Sequence, residues 1–383
     1  MRGSGLTKNI KGTVVLDSET RRVVTSSIFA TLATLVLMAI MVSRAGGNET
    51  PSPRSATRSP SSPTSMTSVA PPSNPAPPLA TTLAPAATPY VALGAFIPGA
   101  SSDPSKIDAY ARLTGTMPRI VMWYQSWAIG QWSAFAPHIA DAIRARGAMP
   151  MISWEPSTGV TNDPAWALGT IVDGSHDAYI RQWTHDVGTW GHPIYVRPMY
   201  EMNGWWAPWC ATVNGNSASA FVAAWRRIVD IARAEHATNI RWVWSPNVDS
   251  DGLGAPFAAL YPGDGYVDWV GLDGFNRGTS WATTTWVSAW TIFSGSIARL
   301  RQITTKPLMI AETGSTEVGG DKAAWVRSGF ARIPVDLPDV RAVVWFDKSE
   351  SGVNIDWRVN SSAASLAAFR SVAMSKAFAG TLP

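Results

Sequence analysis

The sequence predicts a (β/α)8 TIM barrel, preceded by a single transmembrane helix and a disordered linker rich in Pro, Ser and Thr. Three observations carry this prediction. Residues 23–42 form a run of 20 residues without a charge. Residues 46–89 are mostly Pro, Ser, Thr and Ala, with few large apolar side chains. From residue 90 onward, eight short apolar runs alternate with amphipathic segments over 294 residues, the repeat that closes such a barrel.

In chain order, residues 1–22 come first. They carry Arg2, Lys8, Lys11, Arg21 and Arg22 against Asp17 and Glu19, which assigns them to the cytoplasmic side as a short tail. Residues 23–43 are long enough to span a hydrocarbon core of about 30 Å and read as a signal anchor. A cleaved signal peptide is the alternative, because its apolar core runs about 7–15 residues before small residues at the cut. Ser43 and Ala45 supply that pattern. The first reading gives a single-pass cell-membrane protein with an extracellular C-terminal domain. The second gives a secreted one, cut near Ala45. Residues 46–89 cannot bury enough apolar surface to offset their ordering entropy. As a polyproline-like linker they reach on the order of 130 Å.

The charge divides between these parts. Of 31 Lys and Arg and 27 Asp and Glu, residues 1–89 hold 8 and 3, which leaves 23 and 24 in residues 90–383. The folded part is close to neutral and offers no basic footprint for nucleic acid. Cys210 is the sole cysteine, so no internal disulfide forms.

All 20 Trp lie in residues 90–383. Strands are expected at 91–96, 119–124, 148–153, 194–199, 240–244, 267–272, 307–311 and 340–346. Most are near-continuous apolar runs, as buried parallel strands are. Helices are expected at 107–113, 134–146, 177–189, 218–234, briefly at 256–261, then at 285–301, 322–331 and 363–378. In 218–234, Phe221, Trp225, Ile228 and Val229 recur at helical spacing. An open doubly wound sheet is the rival, but no glycine-rich phosphate loop follows the first strand.

Barrel enzymes keep their chemistry at the C-terminal ends of the strands. After strand four comes Arg197-Pro-Met-Tyr200-Glu201-Met-Asn203-Gly-Trp205-Trp206-Ala-Pro-Trp209, and after strand seven Ala311-Glu312-Thr-Gly-Ser315. Two carboxylates at nearly opposite strands suit glycoside hydrolysis. One protonates the leaving oxygen and the other attacks or supports the cationic sugar carbon. Trp127, Trp154, Trp206, Trp209 and Trp345 fall at strand ends or in the loops after them, where an indole face covers the apolar side of a pyranose. Trp225 and Trp325 fit the core instead. His138, His176, His185, His192 and His236 show no metal-ligand spacing at strand ends, so neither metal nor cofactor is expected. Cys210 lacks the partners of a nucleophile. Asp173, Asp177 and Asp186 read as capping or solvated residues.

The segment around Glu201 resembles the acid/base motif of glycoside hydrolase family 26, the β-mannanase family of the clan A barrels. Trp154-Glu155-Pro156, Asp273-Gly-Phe275-Asn276, Trp345-Phe-Asp347-Lys348 and Asp356-Trp357-Arg358 agree with it, over about residues 90–383. The resemblance implies that Glu201 is the acid/base, Glu312 the nucleophile, and that configuration is retained, with the carboxyls about 5–5.5 Å apart. It adds Arg197, Tyr200, Asn203 and Phe275 to the substrate-binding residues, and Arg197 is also a cation that could help keep Glu312 ionised. It favours endo-hydrolysis of β-1,4-mannan. Another β-glycan, such as mixed-linkage β-glucan or a bacterial exopolysaccharide, is the alternative, and a non-catalytic carbohydrate-binding barrel is the rival. Two positions depart from the family pattern. Tyr200 stands where the family carries His, and Phe275 where it carries a Tyr that hydrogen-bonds the nucleophile. Phe275 is expected to leave Glu312 without that hydroxyl and to slow the reaction.

Overall fold

The computed structural model describes residues 90–128, 133–249, 254–353 and 355–382. The tail, transmembrane and linker assignments of residues 1–89 lie outside the described residues.

Strands β1 (Ala92–Phe96), β2 (Ile120–Ser126), β3 (Met149–Glu155), β4 (Ile194–Pro198), β5 (Ile240–Trp244), β6 (Trp269–Asn276), β7 (Leu308–Ser315) and β8 (Val340–Phe346) close into a barrel. All neighbours are parallel, and β8 returns to β1 with Ala92 opposite Ala342 and Phe96 opposite Phe346. The helices among the described residues are α1 (Ser105–Thr114), α2 (Pro137–Arg144), α3 (Leu168–Val172), α4 (Asp177–Trp190), α5 (Ala218–Ala234), α6 (Phe257–Leu260), α7 (Ala289–Leu300), α8 (Lys322–Ser328), α9 (Ile333–Asp336) and α10 (Ala363–Ala373). A two-stranded hairpin, β9 (Ser349–Glu350) with β10 (Ile355–Asp356), follows β8. None of the helices is long and apolar enough to cross a membrane among the described residues.

The apolar residues of each strand serve two cores, because successive side chains point to opposite faces. Met122, Met151, Tyr195, Val243, Met309 and Val344 fill the barrel interior. Ile152, Ile194, Val196, Trp244, Leu272 and Ile310 face the layer of helices. Helix α5 presents Phe221, Trp225, Ile228 and Val229 to that layer, and the Ser217 hydroxyl caps it by accepting from the Ala220 amide. Pro137 begins α2 three residues later than expected, since proline suits the first helical turn.

Strands β6 and β7 run four residues beyond the apolar runs that mark them in sequence. Their last residues pair with one another, Asp273 with Glu312 and Asn276 with Ser315. Within this stretch β7 holds one residue more than its neighbours. Ile310 pairs with Leu272 and Val343, whereas Glu312 pairs with Asp273 and Thr313 with Trp345. Ala311 already faces the interior. The extra residue resets the pleat, and Glu312 is aimed at the interior as well.

Candidate active site

Arg197 lies on the interior face of β4, fully buried. Its Nη1 donates to both carboxylate oxygens of Asp273 at 2.8 and 2.7 Å, and its Nη2 donates to Glu312 Oε1. Ser153 Oγ accepts from Nε and Nη2 at 3.2 and 2.9 Å, and Ser245 Oγ from Nη1 at 3.3 Å. Burial opposes the guanidinium charge, but Asp273 and Glu312 outweigh it and raise the Arg197 pKa. Burial also pushes the Asp273 carboxyl up, and Arg197 opposes this. Both Asp273 oxygens accept from the guanidinium, a charge-assisted contact that favours the ionised carboxylate. Removing one member of such a buried group costs roughly 3–5 kcal/mol. The Tyr124 hydroxyl, from β2, donates to the same Glu312 Oε1 at 2.6 Å. Burial and the Glu312 charge raise the Tyr124 pKa well above its ordinary value, so the hydroxyl remains a donor.

Glu201 stands on a tight turn beyond β4. Met199 and Glu201 both adopt the left-handed conformation, with φ of 49° and 53°. Such residues cost about 1–2 kcal/mol each and persist where surrounding bonds over-determine them. Here the Met199 amide donates to Trp154 O at 3.1 Å and the Glu201 amide to Ser245 O at 2.7 Å. Glu201 Oε1 accepts from Asn247 Nδ2 at 2.5 Å, and Oε2 from Trp206 Nε1 at 2.7 Å. Burial first and the Glu312 charge second raise the Glu201 pKa, while the two donors oppose them. Asn203 holds Asn247 in place. Its Nδ2 donates to Asn247 O at 2.9 Å, and its Oδ1 accepts from the Asn247 amide at 2.8 Å. Gly204 allows Trp206 to fold back toward Glu201, because a Cβ there would stand 2.6 Å from Trp206 Cζ2.

A third carboxylate joins them. Glu155, the last residue of β3, accepts from the Tyr200 hydroxyl at 2.6 Å. Burial pushes its pKa up to about 7, against the Tyr200 hydrogen bond. The Tyr200 ring lies 4.4 Å beneath the Arg197 guanidinium, so the residue in the place of the family's imidazole links Glu155 to the central cation.

The barrel thus brings Glu201, Glu312, Arg197, Tyr200 and Trp206 together, with Asn203 behind them. Several expected sugar contacts change role. Arg197 is enclosed by protein groups and positions Glu312 rather than meeting a sugar. Trp154 is fully buried between Trp127 at 4.6 Å and Trp183 at 4.0 Å. Trp345 is fully buried against Phe330 and Phe369, and its Nε1 donates to Trp357 O at 2.9 Å. Trp127 and Trp209 are also buried; Trp209 Nε1 donates to Tyr200 O at 2.6 Å and fixes that turn. None of these four offers a free ring face. Phe275 is half-buried at the mouth, against Phe346 and Trp357. It does not leave Glu312 without a hydroxyl, because Tyr124 supplies one from another strand. Tyr124 and Asn247 carry the site without having been singled out for it, and Asp273 was noted only as part of a matching segment. Each stands at the end of an apolar run in sequence or just beyond, the one signal that marks them there.

Residues 115–328 match the family model described as glycosyl hydrolase family 26. Endoglucanase H of Acetivibrio thermocellus is 37% identical over 285 residues, covering 73% of this chain and 30% of that protein. A mannan endo-1,4-beta-mannosidase of Caldalkalibacillus mannanilyticus is 35% identical over 91 residues, 22% of this chain and 17% of that protein. The chain therefore spans less than a third of the length of either relative. The structure of a β-mannanase from Bacteroides ovatus shares the fold, with a TM-score of 0.56 at 19% identity over 75% of this chain and 89% of that one. With a barrel of this topology and a family match over more than half its length, the chain belongs to glycosyl hydrolase family 26.

Proposed function

We propose that the chain is a retaining glycoside hydrolase of β-linked polysaccharide, with endo-cleavage of β-1,4-mannan as the first reading. The observation that carries it is the division of labour on Glu312. Arg197 and Tyr124 both bond Oε1, and Oε2 has no protein partner among the described residues. An oxygen so left can attack the anomeric carbon while its twin is held. Glu201, with its pKa raised, gives its proton to the leaving oxygen as the glycosidic bond breaks and the ester to Glu312 forms. Glu201 then takes a proton from the water that attacks the same carbon, and Glu312 leaves as a carboxylate. Asn247 and Trp206 receive Glu201 in its ionised stage. Tyr200 and the half-buried Trp206 and Phe275 are the proposed sugar contacts.

Mixed-linkage or other β-glucan is the second reading, favoured by the relative named as an endoglucanase over 73% of the chain. For residues 1–89 the proposal is a cytoplasmic tail, a membrane anchor at 23–43 and an extended linker that holds the enzyme outside the cell. A 2-fluoro glycoside matched to the preferred sugar tests the mechanism. Label on Glu312, found by peptide mass spectrometry, is the expected result. Label elsewhere, or product of inverted configuration, would overturn it. A reducing-sugar assay across soluble β-glycans separates mannan from glucan.

A further inference from the structure

Arg277 immediately follows β6. Its guanidinium lies over two rings, 5.5 Å from the Phe275 centroid and 4.8 Å from the Trp281 centroid. The residue is half-buried, and among the described residues its guanidinium has neither a hydrogen bond nor a carboxylate at ion-pair distance. Arg197, Arg146 and Arg227 all have such partners. The nearest acidic groups act on Arg277 only through space. They are Glu201, which is held by Asn247 and Trp206, and Glu350, which accepts from Trp357 Nε1 at 3.0 Å and lies 3.6 Å from Lys348. The same loop holds two further buried donors without acceptors among the described residues, Trp281 Nε1 and Ser280 Oγ. Taking a cation and two donors out of water without a counter-group opposes folding. A ligand that supplies the acceptors reverses that penalty, and a guanidinium stacked on aromatic faces suits a planar carboxylate. The loop adjoins Phe275 at the mouth and lies within electrostatic reach of Glu201, the group that serves the leaving oxygen.

We propose that residues 275–281 form a subsite for a carboxylate on the glycan, so that the natural substrate is an acidic β-glycan, with Arg277 reading the charge on a sugar beside the cleaved bond. This rests on the glycosidase reading. The near neutrality of residues 90–383 leaves the barrel without a general attraction for polyanions, which makes a single cation decisive.

The test compares neutral and carboxymethylated preparations of one β-mannan and one β-glucan, using the full chain and its Arg277→Gln and Arg277→Lys variants. Affinity electrophoresis through gels containing each polymer reads binding without hydrolysis. The wild type should be retarded more by the carboxymethylated polymer. Arg277→Gln should lose that excess, by about tenfold in affinity, and Arg277→Lys should recover part of it. In hydrolysis, the ratio of kcat/KM for charged over neutral chain should fall in Arg277→Gln, mainly through KM. Added salt should lower the wild-type ratio. Equal retardation of wild type and Arg277→Gln by the charged polymer would overturn the subsite. A shift of the pH profile on both polymers alike, with the ratio unchanged, would do the same, because it would mean that Arg277 only tunes Glu201. Charge-dependent retardation without hydrolysis of any polymer would instead overturn the glycosidase reading and leave the subsite standing.

Discussion

At the scale of single residues, Tyr124 and Glu155 yield the sharpest tests. Tyr124→Phe removes a hydrogen bond to a charged group, worth roughly 1.5–3 kcal/mol, which corresponds to about 10–150-fold in rate. The loss should fall on kcat/KM for the preferred β-glycan. Phe275→Tyr should give no comparable gain, since Glu312 Oε1 already receives two donors. A large gain would show that the added hydroxyl does what Tyr124 does not. Glu155 titrates near 7 in the folded chain against an ordinary value of 4.5. Below about pH 4.5 both folded and unfolded chains hold this proton, and the site has no effect on stability. Between there and about 7 only the folded chain holds it, so stability declines as pH rises, and beyond 7 the decline ends. Glu155→Gln should flatten that segment of a melting-temperature series. It should also remove one ionisation from the alkaline limb of the activity profile. An unchanged profile in both would place the Glu155 pKa near its ordinary value. Sequence alone could not assign these roles. Tyr124 ends an apolar run and reads as core, and Asn247 sits in Ser-Pro-Asn and reads as a turn. Residue type does not separate the buried Trp154 and Trp345 from the half-buried Trp206.

At the scale of elements, most strands and helices were legible because each is an apolar run or a helical stripe bounded by polar residues. Strands β6 and β7 were legible only in their first halves. Asp-Gly-Phe-Asn and Glu-Thr-Gly-Ser break the apolar pattern, yet remain strand because their backbones pair with each other. The added residue of β7 has no signature in one chain, since it exists only relative to the strands beside it. The short α3 was missed because five residues make little more than one turn, too few for an apolar stripe to repeat. The loop after β4 was legible as chemistry and illegible as geometry. It is anchored by Thr161 Oγ1 donating to Trp206 O at 2.9 Å and Thr212 Oγ1 donating to Gly204 O at 2.9 Å. Its test is Gly204→Ala, whose methyl must displace Trp206 from Glu201. About a tenfold fall in kcat with little change in melting temperature is expected, which amounts to the loss of one hydrogen bond of about 1.4 kcal/mol. Trp206→Phe should cost a similar factor, and the double variant little more than either alone. Additive losses would mean that Gly204 acts independently of Trp206.

At the scale of the molecule, the barrel is fastened where its ends meet. The Val91 amide donates to Ala377 O at 2.8 Å, and the Gly380 amide to Val91 O at 3.1 Å. Phe378 is buried there, its ring stacked 5.2 Å from that of Phe330. Phe378→Ala should lower stability by about 3–5 kcal/mol in urea unfolding, while the neighbouring exposed Lys376 should tolerate Ala within about 0.5 kcal/mol. A small effect at Phe378 would mean that the closing contact contributes little. The central guanidinium has a consequence for the reaction as a whole. In the free enzyme Arg197 stands between two carboxylates, Asp273 and Glu312, and with both ionised these three groups carry one negative charge in excess. Esterification of Glu312 would remove that excess and leave Arg197 matched one-to-one with Asp273. The proposed covalent stage is thus the one at which Arg197 and its remaining partner balance, and Asp273 spares the cation from standing alone there. On this account Asp273→Asn should harm the glycosylated enzyme most, so that deglycosylation slows and the labelled ester to Glu312 accumulates during turnover.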